Sequence, residues 1–130
     1  MYTIKNVIII EDDTPLTNAL REKLEGAGLQ VTIAQDGVTA ITKVHEVNPD
    51  VVILDIVLPQ VDGKEVLKNI RNHEDTKDLP VFVLTNVADT ESICEVSEDG
   101  KTSYFLKVNT PLEEIVKRVQ ALLQVAPSKN

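Results

Sequence analysis

Several side chains that can bind a cation or a phosphoryl group come directly after short apolar segments of the sequence. They are Glu11, Asp12 and Asp13 after residues 7–10, Asp55 after residues 51–54, Thr85 after residues 81–84, and Lys107 after residues 104–106. Carboxylate oxygens without His or Cys point to Mg²⁺ or Mn²⁺. A carboxylate beside such an ion can attack phosphorus, while an ammonium and a hydroxyl offset the charge of the phosphoryl oxygens. If these groups meet, the sequence predicts a divalent-cation site with phosphoryl chemistry.

The apolar segments themselves are typical of strands buried on both faces of a parallel sheet, because each is continuous rather than alternating. They are Val7–Ile10, Val51–Leu54, Val81–Leu84 and Tyr104–Leu106. A fifth segment, Leu29–Ala34, alternates apolar and polar residues. That alternation indicates a strand at the edge of the sheet.

Apolar residues at helical spacing separate the strands and follow the last one. The first predicted helix opens at Thr14-Pro15 and closes at Gly26 or Gly28, and the second ends before Asn48. A third is marked by apolar residues at 66, 67 and 70, and a weaker, mostly polar fourth covers residues 89–97. For the last helix we predict Thr110 as N-cap, Pro111 as the first residue and Glu113 completing a capping box.

Strands and helices therefore alternate, and short connections with right-handed crossovers favour one α/β fold. We expect a doubly wound five-stranded parallel sheet of order 2-1-3-4-5 between two helical layers, a flavodoxin-like three-layer sandwich. Sites in such sheets form beyond the carboxyl ends of the strands. No linker divides the chain, so we predict one domain over residues 1–125 and a loose tail over residues 126–130.

The charge balance limits the kinds of partner that the protein is expected to bind. The formal net charge of −8 opposes direct binding to nucleic acid or to an anionic membrane. No apolar run is long enough to cross a membrane, and the N-terminus lacks a signal peptide. Cys94 is the single cysteine, which suits the reducing cytoplasm. His45 and His73 fall on helix ends and are interpreted as surface residues.

Other classes of α/β protein fit less well. The glycine-rich phosphate loops of Rossmann and P-loop enzymes do not occur. A flavodoxin-type cofactor binder needs a phosphate loop after the first strand, where this chain has three carboxylates that repel phosphate. A phosphatase of the haloacid dehalogenase type needs a second aspartate two residues after Asp55, and Val57 occupies that position.

Four motifs, in this order and spacing, carry a specific resemblance. They are Ile9-Ile10-Glu11-Asp12-Asp13, Leu54-Asp55-Ile56-Val57-Leu58-Pro59 with Asp62-Gly63, Val83-Leu84-Thr85, and Tyr104-Phe105-Leu106-Lys107. The chain resembles a receiver domain of bacterial two-component response regulators, of the single-domain chemotaxis-regulator kind. The resemblance covers residues 5–123.

This resemblance implies a role for each matching residue. Asp55 corresponds to the phosphoacceptor. The metal site corresponds to Glu11, Asp12, Asp55 and the backbone carbonyl of Val57. Thr85 and Lys107 correspond to the groups that contact the phosphoryl oxygens, and Thr85 and Tyr104 correspond to the switch pair. Asp13 matches no functional position and is interpreted as the start of the first helix. Two residues depart from the family pattern: Val108 stands where proline follows the lysine, and Asn86 stands where a small residue follows the threonine. We expect a trans Lys107–Val108 bond, since cis is costly without proline.

The implied function is phosphorelay signalling. A sensor histidine kinase or a histidine phosphotransfer protein would donate a phosphoryl group to Asp55 with Mg²⁺, or alternatively Mn²⁺, as cofactor. The change would reach a downstream protein target through the face formed by the fourth predicted helix, the fifth strand and the last helix. Such a protein turns over no separate substrate. The alternative is a phosphorylation-independent interaction module. No output module follows Leu123 in this sequence, which fits a stand-alone receiver or one taken from a longer protein.

Overall fold

The structure is a computed structural model that describes residues 4–85, 100–107 and 110–123. Its strands are β1 (Asn6–Ile10), β2 (Gln30–Ala34), β3 (Val51–Asp55), β4 (Val81–Thr85) and β5 (Thr102–Leu106). Its helices are α1 (Thr14–Gly26), α2 (Gly37–Val47), α3 (Gly63–Arg71) and α4 (Leu112–Leu123). The strands form one parallel sheet in the order β2-β1-β3-β4-β5, which confirms the predicted fold class and strand order. Outside the described residues lie the helix predicted over 89–97, the tail over 126–130, Cys94, Asn86 and Val108.

The sheet is covered on both faces, which is why its central strands are continuously apolar. Along β1, Val7 and Ile9 pack into one core cluster with α1 and α4, while Ile8 and Ile10 pack into a second cluster with α2 and α3. Every residue of β3 and β4 is buried. Two-sided burial leaves little freedom in the direction of the polar side chains that end these strands.

The edge position predicted for β2 is confirmed, and a lysine covers part of that edge. The Gln30 amide donates to the Lys5 carbonyl, and the Ala34 carbonyl accepts from the Glu11 amide, so these even-numbered residues face β1. Ile33 alternates with them and therefore points its peptide groups away from the sheet. The ammonium of Lys43 in α2 donates to the Ile33 carbonyl at 3.1 Å.

An aspartate begins each of the first three helices. The side chains of Asp13, Asp36 and Asp62 accept hydrogen bonds from amides in the first turns of α1, α2 and α3, at 3.2, 2.7 and 2.6 Å. These bonds satisfy amides that have no partner within the helix. The interpretation of Asp13 as a helix start is thereby confirmed. The bond from the Thr39 amide also holds the pKa of Asp36 below its usual value.

The last helix begins one residue later than predicted. α4 starts at Leu112, and the Pro111 carbonyl accepts from the Glu114 amide at 3.0 Å, so Pro111 precedes the helix instead of opening it. Glu113 pairs with Lys23 of α1 at 2.8 Å and so links the two helices on this face of the sheet. Across residues 4–85, 100–107 and 110–123, no helix is long and apolar enough to cross a membrane.

Arg71, the last residue of α3, joins three segments at the end of the sheet where the strands begin. Its guanidinium donates to the carbonyls of Lys77, Leu79 and Lys101 at 3.2, 2.7 and 3.1 Å. It also donates to the buried hydroxyl of Thr102 at 2.7 Å. A single side chain thus holds α3, the connection to β4 and the start of β5 together.

Candidate functional site

The predicted convergence at the carboxyl ends of the strands is present. Parallel pairing places Ile10 beside Leu54, so Glu11 and Asp55 leave neighbouring strands at the same level. Asp55 in turn pairs with Leu84, the residue before Thr85. Lys107 follows β5, the next strand of the sheet. The register of the sheet alone brings these polar side chains together at the carboxyl ends of the strands.

Three carboxylates form an acidic cluster at the carboxyl ends of the strands. Glu11, Asp12 and Asp55 each offer an oxygen, and these atoms lie within 4.8 Å of one another. Glu11 and Asp55 are buried, while Asp12 is exposed to solvent. Asp13 is not part of the cluster, although its amide donates to Glu11 Oε2 at 3.2 Å.

Lys107 supplies the positive charge of the site. Its ammonium contacts Glu11 Oε1 and lies 3.2 Å from Asp55 Oδ2. Burial by itself would lower the pKa of Lys107, but the contacts with Glu11 and Asp55 outweigh it, and the pKa lies above its usual value. Burial raises the pKa of Glu11 to about 7, with a further upward contribution from the adjacent Asp55 carboxyl, against which Lys107 acts.

This donor set fits a hard divalent cation. All three ligand side chains are carboxylates, the class that Mg²⁺ and Mn²⁺ prefer. Glu11 Oε1 is buried and makes no hydrogen bond of regular geometry, only the ion-pair contact with Lys107. When all three carboxylates are ionised, they leave an excess of two negative charges over the one ammonium, which a divalent cation would neutralise.

The remaining predicted residues surround the cluster. The Val57 amide donates to Asp55 Oδ1 at 3.2 Å, so the backbone of Val57 faces the site. The residue as a whole is 61% exposed to solvent. Thr85 ends β4 and is buried. Tyr104 in β5 is half-buried against the core cluster that contains Val83. The metal role of Val57 and the switch roles of Thr85 and Tyr104 stay predictions.

The loop that follows Asp55 packs closely against two glycines, Gly37 and Gly63. A Cβ on Gly63 would lie 2.3 Å from the Asp55 carbonyl oxygen and 2.6 Å from Ile56 Cα. A Cβ on Gly37, the first residue of α2, would lie 2.3 Å from the Val61 carbonyl oxygen. The loop therefore packs closely against the starts of two helices. The only sequence signal for the role of Gly37 is an aspartate followed by glycine before a helical segment.

With this geometry established, comparison with known proteins identifies the class. The family model described as response regulator receiver domain matches residues 7–120. The chain belongs to the response regulator receiver domain family, as its motifs indicated. Receiver domains are signalling modules of two-component systems.

Particular relatives agree with this assignment. The chain is 36% identical over 118 residues to the response regulator MprA of Mycobacterium sp. (strain KMS), covering 91% of this chain and 50% of the relative. The chain spans about half the length of the curated relatives that it matches. A solved putative response regulator from Chloroflexus aurantiacus has a TM-score of 0.81 and 32% identity, covering 94% of this chain and 99% of that one. The phosphorylated cyanobacterial phytochrome response regulator RcpA has a TM-score of 0.78 and 26% identity, covering 98% and 100%.

Proposed function

We propose that this receiver domain accepts a phosphoryl group on Asp55 from the phosphohistidine of a sensor histidine kinase or a histidine phosphotransfer protein, with Mg²⁺ as cofactor. It acts in the cytoplasm and passes the signal to a downstream protein target. The surface that responds includes β5 and α4; the helix predicted over residues 89–97, the third part of the expected face, lies outside the described residues. The RcpA neighbour was solved in its phosphorylated form, which supports this reading of the chain.

The observation that carries the proposal is the position of the Asp55 carboxylate. It is fixed by a buried strand, and it lies against the Lys107 ammonium and beside two further carboxylates. In the transfer, a carboxylate oxygen of Asp55 forms a bond to phosphorus as the bond from phosphorus to the imidazole nitrogen breaks. The imidazole leaves with the bonding electron pair and takes up a proton, and Asp55 becomes an acyl phosphate.

The other groups of the site offset charge during this transfer. Glu11, Asp12, Asp55 and the Val57 carbonyl would hold Mg²⁺, which supplies a positive charge next to the phosphoryl oxygens when bound. Lys107 lies close enough to Asp55 to pair with the incoming phosphoryl group. The Thr85 hydroxyl, on the neighbouring strand end, donates to a phosphoryl oxygen and moves toward it, and Tyr104 follows that movement.

Phosphorylation is tested by incubating the protein with acetyl phosphate and Mg²⁺ and measuring its intact mass. We expect the mass of one added phosphoryl group in the wild type and none in Asp55→Asn, because the amide is not a nucleophile toward phosphorus. Asp50→Asn is the matched control, since Asp50 directly precedes β3, at the other end of that strand from Asp55, and accepts from the Asn6 amide. It should be modified like the wild type.

Two results would contradict the proposal. A phosphoryl adduct retained in Asp55→Asn would place the modification elsewhere. A folded wild type that takes up no phosphoryl group from acetyl phosphate or from a phosphohistidine donor would favour the phosphorylation-independent interaction module.

Magnesium binding has a separate readout in thermal stability. Receiver domains as a family bind Mg²⁺ at an acidic pocket. Millimolar Mg²⁺ should raise the melting temperature of the wild type, because a ligand that binds only the folded state stabilises it by mass action. The shift should be largely lost in Asp12→Ala and kept in Asp13→Ala, whose carboxylate caps α1 outside the cluster. Equal shifts in wild type and Asp12→Ala would refute the assignment of the site.

A further inference from the structure

A second group of metal-ligating side chains lies at the end of the sheet opposite the acidic cluster. His45 is in the last turn of α2, and His73 and Asp75 follow α3. Their chain positions are far apart, yet the two imidazole rings have centroids 4.6 Å apart. Asp75 Oδ2 lies 3.5 Å from His45 Nδ1. His45 is half-buried, whereas Asp75 is exposed.

One residue orients both imidazoles. The side-chain oxygen of Asn69 lies 3.1 Å from His45 Nε2, and its backbone oxygen lies 2.8 Å from His73 Nδ1. Oxygen atoms accept hydrogen bonds, so the hydrogen of each neutral ring is on the nitrogen that faces Asn69. The lone pairs are then on His45 Nδ1 and His73 Nε2. A second hydrogen bond of this kind is how proteins orient histidine ligands of metal ions.

This arrangement leaves two acceptors facing each other. When the His45 ring is neutral, its Nδ1 carries a lone pair 3.5 Å from the Asp75 carboxylate, and either a proton on Nδ1 or a metal cation between the two groups makes this approach favourable. Tetrahedral zinc with ligand distances of about 2.0–2.2 Å separates neighbouring N and O ligands by about 3.3–3.6 Å. The observed separation falls in this range. Imidazole with carboxylate is also a donor set that Zn²⁺ accepts and that Mg²⁺ does not favour.

We propose that His45, His73 and Asp75 bind a divalent transition-metal ion of the Zn²⁺ class, through His45 Nδ1, His73 Nε2 and a carboxylate oxygen of Asp75. Asn69 keeps both imidazoles oriented, and rotation of the exposed Asp75 side chain brings its carboxylate to the ion. The ion reaches the site directly from solvent, because His73 and Asp75 are exposed. The bound ion would join the end of α2 to the segment after α3.

Zinc binding is tested by equilibrium dialysis and by thermal shift in the full chain, with Mg²⁺ saturating the acidic cluster. A Cys94→Ser background removes the single thiol. We expect one Zn²⁺ per chain and a raised melting temperature. His73→Gln and His45→Gln should each weaken binding by about 100-fold or more, and Asn69→Ala, which frees His45 from its orienting bond, by about tenfold.

Two neighbouring acids give a ligand variant and its matched control. Asp75→Asn should weaken zinc binding, while Glu74→Gln, which removes an exposed carboxylate that pairs with Lys77, should leave it unchanged. An unaltered Mg²⁺ shift in every variant shows that the fold is intact. The proposal is overturned if no zinc binds, if His73→Gln binds it as tightly as the background, or if imidazole nitrogen resonances show a proton on His45 Nδ1 that zinc does not displace. The last result would assign an imidazolium–carboxylate ion pair instead.

Discussion

Replacing Gly63 with alanine should destabilise the domain by about 3 kcal/mol, near the upper end of the usual cost of overpacking. The added Cβ would lie 2.3 Å from the Asp55 carbonyl oxygen and 2.8 Å from that of Ile56. These are backbone atoms at the end of a buried strand, so no side-chain rotation relieves the clash. The loop must shift, and it carries the Ile56–Gly63 hydrogen bond of 2.8 Å.

Gly26→Ala is the matched control. Gly26 is the last residue of α1, and a Cβ there meets no atom within 4 Å. The exchange should be neutral or stabilising by about 0.5 kcal/mol, because alanine loses less backbone entropy on folding. Urea unfolding of both variants gives the comparison. Equal midpoints for Gly63→Ala and the wild type would show that this loop is not held as tightly as its contacts indicate. Gly63→Ala should also bind Mg²⁺ more weakly, because the shifted backbone includes Asp55.

Arg71→Met should cost about 3–5 kcal/mol of unfolding free energy. Hydrogen bonds to charged groups contribute about 1.5–3 kcal/mol each, and partial exposure of the guanidinium reduces the sum. Methionine keeps the aliphatic length but takes donors away from three carbonyls and the Thr102 hydroxyl. The loss would loosen the connection between α3 and β4 and the start of β5 together.

Arg71→Lys separates charge from geometry. The single ammonium of lysine cannot donate to all four acceptors as the guanidinium does. We therefore expect Arg71→Lys to lose about half as much unfolding free energy as Arg71→Met. Arg21→Met is the control, since Arg21 is exposed and bonds only to Asn18 among the described contacts, and its cost should stay within about 0.5 kcal/mol. Denaturant unfolding with an unchanged slope reports these differences. If Arg71→Lys matches the wild type, charge and not the fork of donors is what this position requires.

The fold could be predicted because the apolar pattern differs between strands. Continuous runs such as Val51–Leu54 marked buried strands, and alternation over Leu29–Ala34 marked an edge. Once strand order was known, the position of Asp55 near Glu11 and Lys107 followed from register alone. The direction of these side chains is a property of the sheet, which is why local sequence was sufficient.

Other contacts could not be predicted because they depend on how helices and loops approach one another. Arg71 looks like any basic residue in a last helical turn, yet its partners include Lys101 and Thr102, about 30 positions away. His45 was interpreted as a surface residue, and only the packing of α2 beside α3 brings it to His73. Local signals also misplaced the start of α4 at Pro111 by one residue.

The lysine that reaches over β2 bears on self-association. An open strand edge offers unpaired peptide groups on which another chain can add a strand, and such addition is a common first step of aggregation. Lys43 occupies the outward carbonyl of Ile33 and places a charge where an incoming strand would have to lie. A second chain would need to displace that ammonium and desolvate it before pairing at this position. Lys43 therefore opposes the addition of a further strand to the five-stranded sheet at this position.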